Sequence, residues 1–201
     1  MKEGNASAVK PDWFKFSEQT KWSSKKDLIK DYLWRITEQL LFRPSVKFMS
    51  KWRIMILRGF GAKVGKNCYI SNRAIFVHPW NIEIGNNVSI DDYVFIKASA
   101  KVIIGDYVQI ANYVKIVPGG HDVRQPDFRF IGKPISIGNG AFLGACCFIG
   151  PGVNIGQMAV IGSNTCVYKS VEENRIVVQQ TELTQKKRLP QEEYEKFRYC
   201  T

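Results

Sequence analysis

The sequence predicts a mainly β protein: a parallel β-solenoid of triangular cross-section, preceded by a helical segment and interrupted by one excursion loop. Three observations carry this. In "IGNGAFLGACCFIGPGVNIGQMAVIGSNTCV" a branched aliphatic residue returns at every sixth position, as Ile137, Leu143, Ile149, Ile155, Ile161 and Val167. Helices repeat their apolar positions at three and four and strands at two, so neither produces a step of six. A small residue stands four places after each aliphatic, as Val88, Val94, Val108, Val114, Ala141, Cys147, Val153, Ala159 and Thr165. Finally, Val64, Ile84 and Ile104 are 20 residues apart, which is three sixes plus two.

Three short strands of six residues each close one triangular turn. The aliphatic and the small residue point inward, and each coil buries its apolar face only by stacking on the next. Val64, Ile70 and Phe76 form the first turn, followed by Ile84, Ile90 and Ile96, and then by Ile104, Ile110 and Ile116. Glycine follows the aliphatic at 65, 85, 105, 138, 144, 150, 156 and 162. It fits a corner where a side chain would crowd or where φ must be positive. The two-residue excesses read as corner bulges.

In chain order, residues 1–24 are a polar segment with scattered aromatics and no period. Residues 25–60 are a helical cap and a candidate membrane-docking region. Lys25 to Phe42 holds Leu28, Tyr32, Ile36 and Leu40 near helical spacing, with Ser24 as N-cap and Pro44 as terminator. "VKFMSKWRIMILRGFG" reads as a second helix ending at glycine. The solenoid spans 61–170, and a basic tail spans 171–201. Between Ile116 and Ile137 the sixfold register fails over "VPGGHDVRQPDFRFIGKPIS". This stretch, 118–135, must loop out of the prism, and long excursions from a regular scaffold are usually functional.

Composition narrows the partners. With 29 Lys and Arg against 18 Asp and Glu, the net charge is +11, which favours phosphates, an anionic membrane face or nucleic acid. Nucleic acid has only this charge behind it, since the chain shows no zinc-finger spacing and no RNP motif. Cys68, Cys146, Cys147, Cys166 and Cys200 are odd in number and form no CxxC, so we expect free, buried or half-buried thiols in a reducing compartment. Met1 to Pro11 lacks the apolar core of a secretory signal, and no run of about 18 apolar residues occurs. The expected location is the cytoplasm. In the 25–60 region, Lys25, Lys26, Lys30, Arg35, Arg43, Lys47, Lys51, Arg53 and Arg58 interleave with Trp34, Phe42, Phe48 and Trp52. Such a pattern suits an anionic membrane interface on the inner face. It equally suits aromatics capping the prism while the charges face water.

The chain has two histidines. His121 lies in the excursion beside Gly119, Gly120 and Asp122. A neutral imidazole can take a proton from a hydroxyl, which a weak alcohol nucleophile needs. His78, before Pro79 at a corner, reads as structural. Two histidines cannot make a three-histidine zinc site, so no metal is expected.

The period [LIV]-G-x-x-[small]-x resembles the hexapeptide-repeat acyltransferases, whose fold is a left-handed parallel β-helix. "LLFRPS", "WRIMILRGFGAKVG", "HPWNIEIGNNVSIDDYVFI", "GGHD…PDF" and "IGPGVNIGQMAVIGS" are similar to the colanic-acid and exopolysaccharide O-acetyltransferases, which are akin to the maltose and galactoside acetyltransferases. The resemblance implies a homotrimer with active sites between neighbouring prisms. It implies acetyl-CoA as donor, a sugar hydroxyl of a surface polysaccharide or its precursor as acceptor, and His121 as general base for direct attack on the thioester. A lipid-linked carbohydrate acceptor would suit membrane contact. Asp91, where relatives carry a substrate-contacting asparagine, and Phe142 would face the acceptor. Ala145 and Ser163 would offer backbone groups to pantetheine, and Lys169 and Lys186 would stand near the nucleotide phosphates. After the last coil, Gln179, Gln180 and Thr181 replace the small-residue turn that relatives pack near CoA. Two other readings stay open. One is an N-acetyltransferase on an amino sugar or a serine acetyltransferase. The other is a non-catalytic trimeric scaffold, suggested by that altered turn.

Overall fold

The computed structural model describes residues 25–122 and 129–179. Each hexad folds as a strand of two or three residues followed by a corner, and the strands stack in parallel on three flat faces. Face A holds β1 (Lys63–Val64), β4 (Ile82–Ile84), β7 (Val102–Ile104), β12 (Ile135–Ile137) and β15 (Asn154–Ile155). Face B holds β2 (Tyr69–Ile70), β5 (Ser89–Ile90), β8 (Gln109–Ile110), β13 (Phe142–Leu143), β16 (Val160–Ile161) and β18 (Ile176–Val177). Face C holds β3 (Ile75–Val77), β6 (Phe95–Lys97), β9 (Lys115–Ile116), β14 (Phe148–Ile149) and β17 (Cys166–Val167).

The register pairs the expected aliphatics. Val64, Ile84, Ile104, Ile137 and Ile155 stand one above another on face A. Phe76, Ile96, Ile116, Ile149 and Val167 do so on face C. All of these are buried, as are Cys68, Val88, Val108, Ala141 and Ala159, four places after the face A aliphatics. Each fully buried Val, Leu or Ile contributes about 1.5–3 kcal/mol. Pairing of β18 with β16 carries the solenoid past residue 170, into the stretch expected as tail.

The corners separate two steric demands. The glycine after each aliphatic answers crowding alone: a Cβ on Gly138 would lie 2.6 Å from the Gln157 backbone nitrogen one coil away. Positive φ falls two residues further on, at Asn67, Asn87, Tyr93, Tyr107, Tyr113, Cys146, Met158 and Asn164. A left-handed L residue costs about 1–2 kcal/mol, so the stacking of successive coils must offset a repeated penalty.

The two-residue excesses and the excursion leave at one edge, between face C and face A. In the first coil this edge holds His78, with φ 58°, and a 3₁₀ turn at Pro79–Asn81. In the third coil this edge expels a hairpin of β10 (Gly119–His121) and β11 (Phe130–Gly132).

Before the solenoid, α1 (Lys25–Thr37) runs into one π turn (Glu38–Phe42), and α2 (Ser50–Gly59) follows. The expected N-cap Ser24 lies outside the described residues. Trp34 and Phe42 are buried, and Trp34 Nε1 donates to the Phe76 carbonyl at 2.7 Å. Leu28, Tyr32, Ile36 and Leu40, whose spacing marks an apolar stripe, are instead exposed. The helix is apolar on two sides, and the Trp34–Glu38–Phe42 side meets the prism. Of the expected capping aromatics, Trp52 is half-buried and Phe48 is exposed.

Two of the cations grouped with a solvent-facing set have other work. Arg53 is fully buried and donates to the carbonyls of Ile70, Val46 and Lys47 and to Ser45 Oγ, at 2.7–2.9 Å. Arg58 donates to the Val64 and Gly65 carbonyls. Together they fasten α2 to the first coil. Among the described cysteines, Cys68 and Cys147 are buried, whereas Cys146 and Cys166 are exposed at the prism surface, and all four are free. Burial pushes the Cys147 thiol up to about 12.

Candidate active site

The hairpin is fixed at its base and carries His121 at the last position of its first strand. Lys133 N donates to the Pro118 carbonyl at 2.8 Å, and Gly152 N donates to the Lys133 carbonyl at 3.2 Å, which ties the base to the fourth coil. Glycine at 119 lets the two strands close: a Cβ there would meet the Phe130 ring at 2.6 Å and would strike Ser99 Oγ. His121 pairs with Phe130 across the hairpin, with ring centroids 5.9 Å apart and planes at 76°, an edge-to-face contact that restrains the imidazole. Asp122 N donates to the Arg129 carbonyl at 2.9 Å and closes the described part of the hairpin. The His121 side chain is exposed. This arrangement offers an imidazole, held by a fixed hairpin, to a molecule arriving from outside the prism.

The other expected site residues do not gather around His121. Asp91 is half-buried at the edge between faces B and C, with Ser89 Oγ 3.4 Å from its Oδ1. Ala145 and Ser163 follow on the same edge in the fourth and fifth coils, and the Ala145 carbonyl accepts from Asn164 N at 2.9 Å. Phe142 projects from face B beside that edge and is 39% exposed. The imidazole stands across face C, on the C–A edge. Lys169 is exposed on the C–A edge in the last coil, in a hollow of about 640 Å³ shared with Tyr168, Glu172 and Arg175. Lys186, Gln180 and Thr181 lie outside the described residues. Gln179, the first residue of the altered turn, accepts from Cys166 N through Oε1 at 3.3 Å, and its own N donates to Thr165 Oγ1 at 3.2 Å.

Sequence reasoning missed Phe130 and Ser99. Phe130 holds the imidazole, and Ser99 Oγ lies buried beneath Gly119 with no hydrogen-bond partner among the described residues. The signal for Ser99 was its place in the two-residue excess one coil below the excursion. His78 is structural, as expected: it is half-buried, with Nε2 3.8 Å from Asp31 and the ring against Trp80. Burial pulls its pKa below the ordinary histidine value, and Asp31 opposes that in part.

No family model matches the chain. Curated relatives do match. The chain is 32% identical over 146 residues to a putative colanic acid biosynthesis acetyltransferase, WcaF, of Escherichia coli, covering 73% of this chain and 80% of that protein. The chain belongs to the hexapeptide-repeat acetyltransferases. It is also 34% identical over 126 residues to the galactoside O-acetyltransferase of E. coli, which covers 61% of this chain and 62% of that enzyme. A solved galactoside acetyltransferase in complex with coenzyme A superposes with a TM-score of 0.70 at 29% identity, over 78% of this chain and 79% of that one. The hexapeptide-repeat acetyltransferase described here therefore shares with that solved enzyme the prism, a β-solenoid of about five turns.

Proposed function

We propose that this acyltransferase moves an acetyl group from acetyl-CoA to a sugar hydroxyl of a surface polysaccharide or its precursor, with His121 as general base. The supporting observation is the exposed imidazole, edge-on to Phe130 at the end of a hairpin anchored to the prism. In this reading His121 takes the hydroxyl proton as the sugar oxygen attacks the thioester carbonyl carbon, and the imidazolium returns that proton to the departing thiolate. Proton transfer of this kind supplies about 10²–10⁴ in rate. Backbone N–H groups facing the oxyanion would add about 3 kcal/mol per donor.

The residues on the B–C edge suit the donor. Exposed Ser163 and half-buried Ala145 are one coil apart, so a chain-like ligand could lie along the stack, with Phe142 beside it. Lys169 would sit near the phosphates, as would Lys186. Asp91 would accept a hydrogen bond from a sugar hydroxyl. We place the enzyme in the cytoplasm as a homotrimer, because His121 and the B–C edge lie on different edges of one prism, and a neighbouring copy would bring them together.

His121→Ala tests the reading. Thiol release from acetyl-CoA should fall at least about 10²-fold against a hydroxyl-bearing sugar panel, with unchanged melting temperature and molecular size. Retained turnover removes His121 as base. Turnover with amino sugars or serine, and none with hydroxyl sugars, would change the acceptor class.

A further inference from the structure

We propose that the outer face of α1 lies on an anionic lipid surface and holds the His121 edge of the prism close to it. The inference rests on the acetyl-transfer reading for its purpose, but not for its evidence.

Leu28, Ile29, Tyr32, Leu33, Ile36 and Leu40 are 39–68% exposed. At 3.6 residues per turn they fall within an arc of about 140°, opposite the side on which Trp34 and Phe42 enter the core. A soluble helix ordinarily keeps one apolar stripe and turns polar groups to water. Here the prism has taken one stripe, and among the described residues the second stays exposed. Large exposed apolar patches mark interaction sites.

Charge decides between occupants. Residues 27–58 hold seven basic side chains against three acidic ones. The pairs Glu38–Arg43 and Asp31–Arg35 cancel and Arg53 is buried, which leaves Lys30, Lys47, Lys51 and Arg58 against Asp27. Lys47 and Lys51 are exposed. A second copy would bring the same cations face to face, whereas anionic headgroups neutralise them. No helix among the described residues is long and apolar enough to cross a bilayer, so α1 would lie on the surface.

Position gives the face its use. Lys30 lies over Trp80 and Asp31 stands 3.8 Å from His78, both on the C–A edge of the first coil, while Trp34 donates to the Phe76 carbonyl on the adjoining face C. The excursion leaves that same edge two coils later, roughly 10 Å along the stack. A bilayer under α1 would therefore run beside the imidazole. A sugar carried on a membrane lipid would reach His121 without leaving the surface.

The test is co-sedimentation of the full chain with vesicles containing about one third phosphatidylglycerol, against vesicles of phosphatidylcholine alone. Wild-type protein should pellet with the anionic vesicles at least tenfold more, and added salt should weaken this. The double variant Ile29→Glu with Leu33→Glu should lose at least tenfold of that binding. Its melting temperature, molecular size and turnover with a water-soluble sugar should stay unchanged. Wild-type protein left in the supernatant overturns the proposal, whichever segment or copy then covers the face. So does a double variant that still pellets, or one that changes oligomeric state. Loss of soluble-sugar turnover in His121→Ala is a separate readout, so either reading fails alone.

Discussion

The guanidinium of Arg53 donates to three carbonyls and a hydroxyl inside the protein, where composition had grouped it with cations facing outward. Arginine is almost never fully buried unless its donors are met, and a sequence does not say which carbonyls will converge on it. His78 was easier to place, because one histidine at a corner before proline has few other uses. Its burial has a measurable consequence. The folded pKa lies below the unfolded one, so the unfolded chain binds the proton first as pH falls. Stability is therefore held above about pH 6.5 and declines below it. His78→Asn, which tolerates the left-handed backbone, should flatten that part of the urea-midpoint profile between about pH 7 and pH 5. An unchanged slope would mean that His78 does not titrate differently on folding.

At the scale of elements, the hexad was readable because its chemistry repeats: an inward aliphatic in every strand, with a glycine after it and a small residue four places on in most units. Glycine's two roles were not separable in advance. At 144 a Cβ would lie 2.7 Å from the Ile161 carbonyl oxygen and the Ser163 nitrogen, both backbone atoms that cannot turn aside. Gly144→Ala should cost about 1–3 kcal/mol in urea unfolding. Gly59→Ala, in α2 with open space around it, should instead be neutral or stabilising by up to about 1 kcal/mol. Equal effects at both positions would refute the close-approach account. The hairpin could not be read at all, since its strands are three residues long and show no alternation. Which side of α1 meets the prism could not be read for a different reason. Apolar residues on two sides give a pattern that fits either side against the prism, and only the docking of Trp34 and Phe42 selects one.

For the whole molecule, the distribution of site residues over two edges is the informative fact. The candidate residues were legible one by one, but the width of face C between His121 and the Asp91–Ala145–Ser163 edge was not, because sequence spacing does not say which edge a corner joins. If catalysis uses both edges, it uses two copies. Mixing His121→Ala with Ser163→Trp, each inactive alone, should restore activity at about one quarter of the sites in randomly assembled symmetric trimers. No recovery after co-expression would put the whole site in one chain. The coil itself sets a further dimension. Each turn adds one strand spacing of about 4.8 Å, so the two coils between α1 and the excursion act as a spacer of fixed length. Inserting one more turn there would move the imidazole one rung further from the helix. The reach of the enzyme would then change in discrete steps while the chemistry at the hairpin stayed the same.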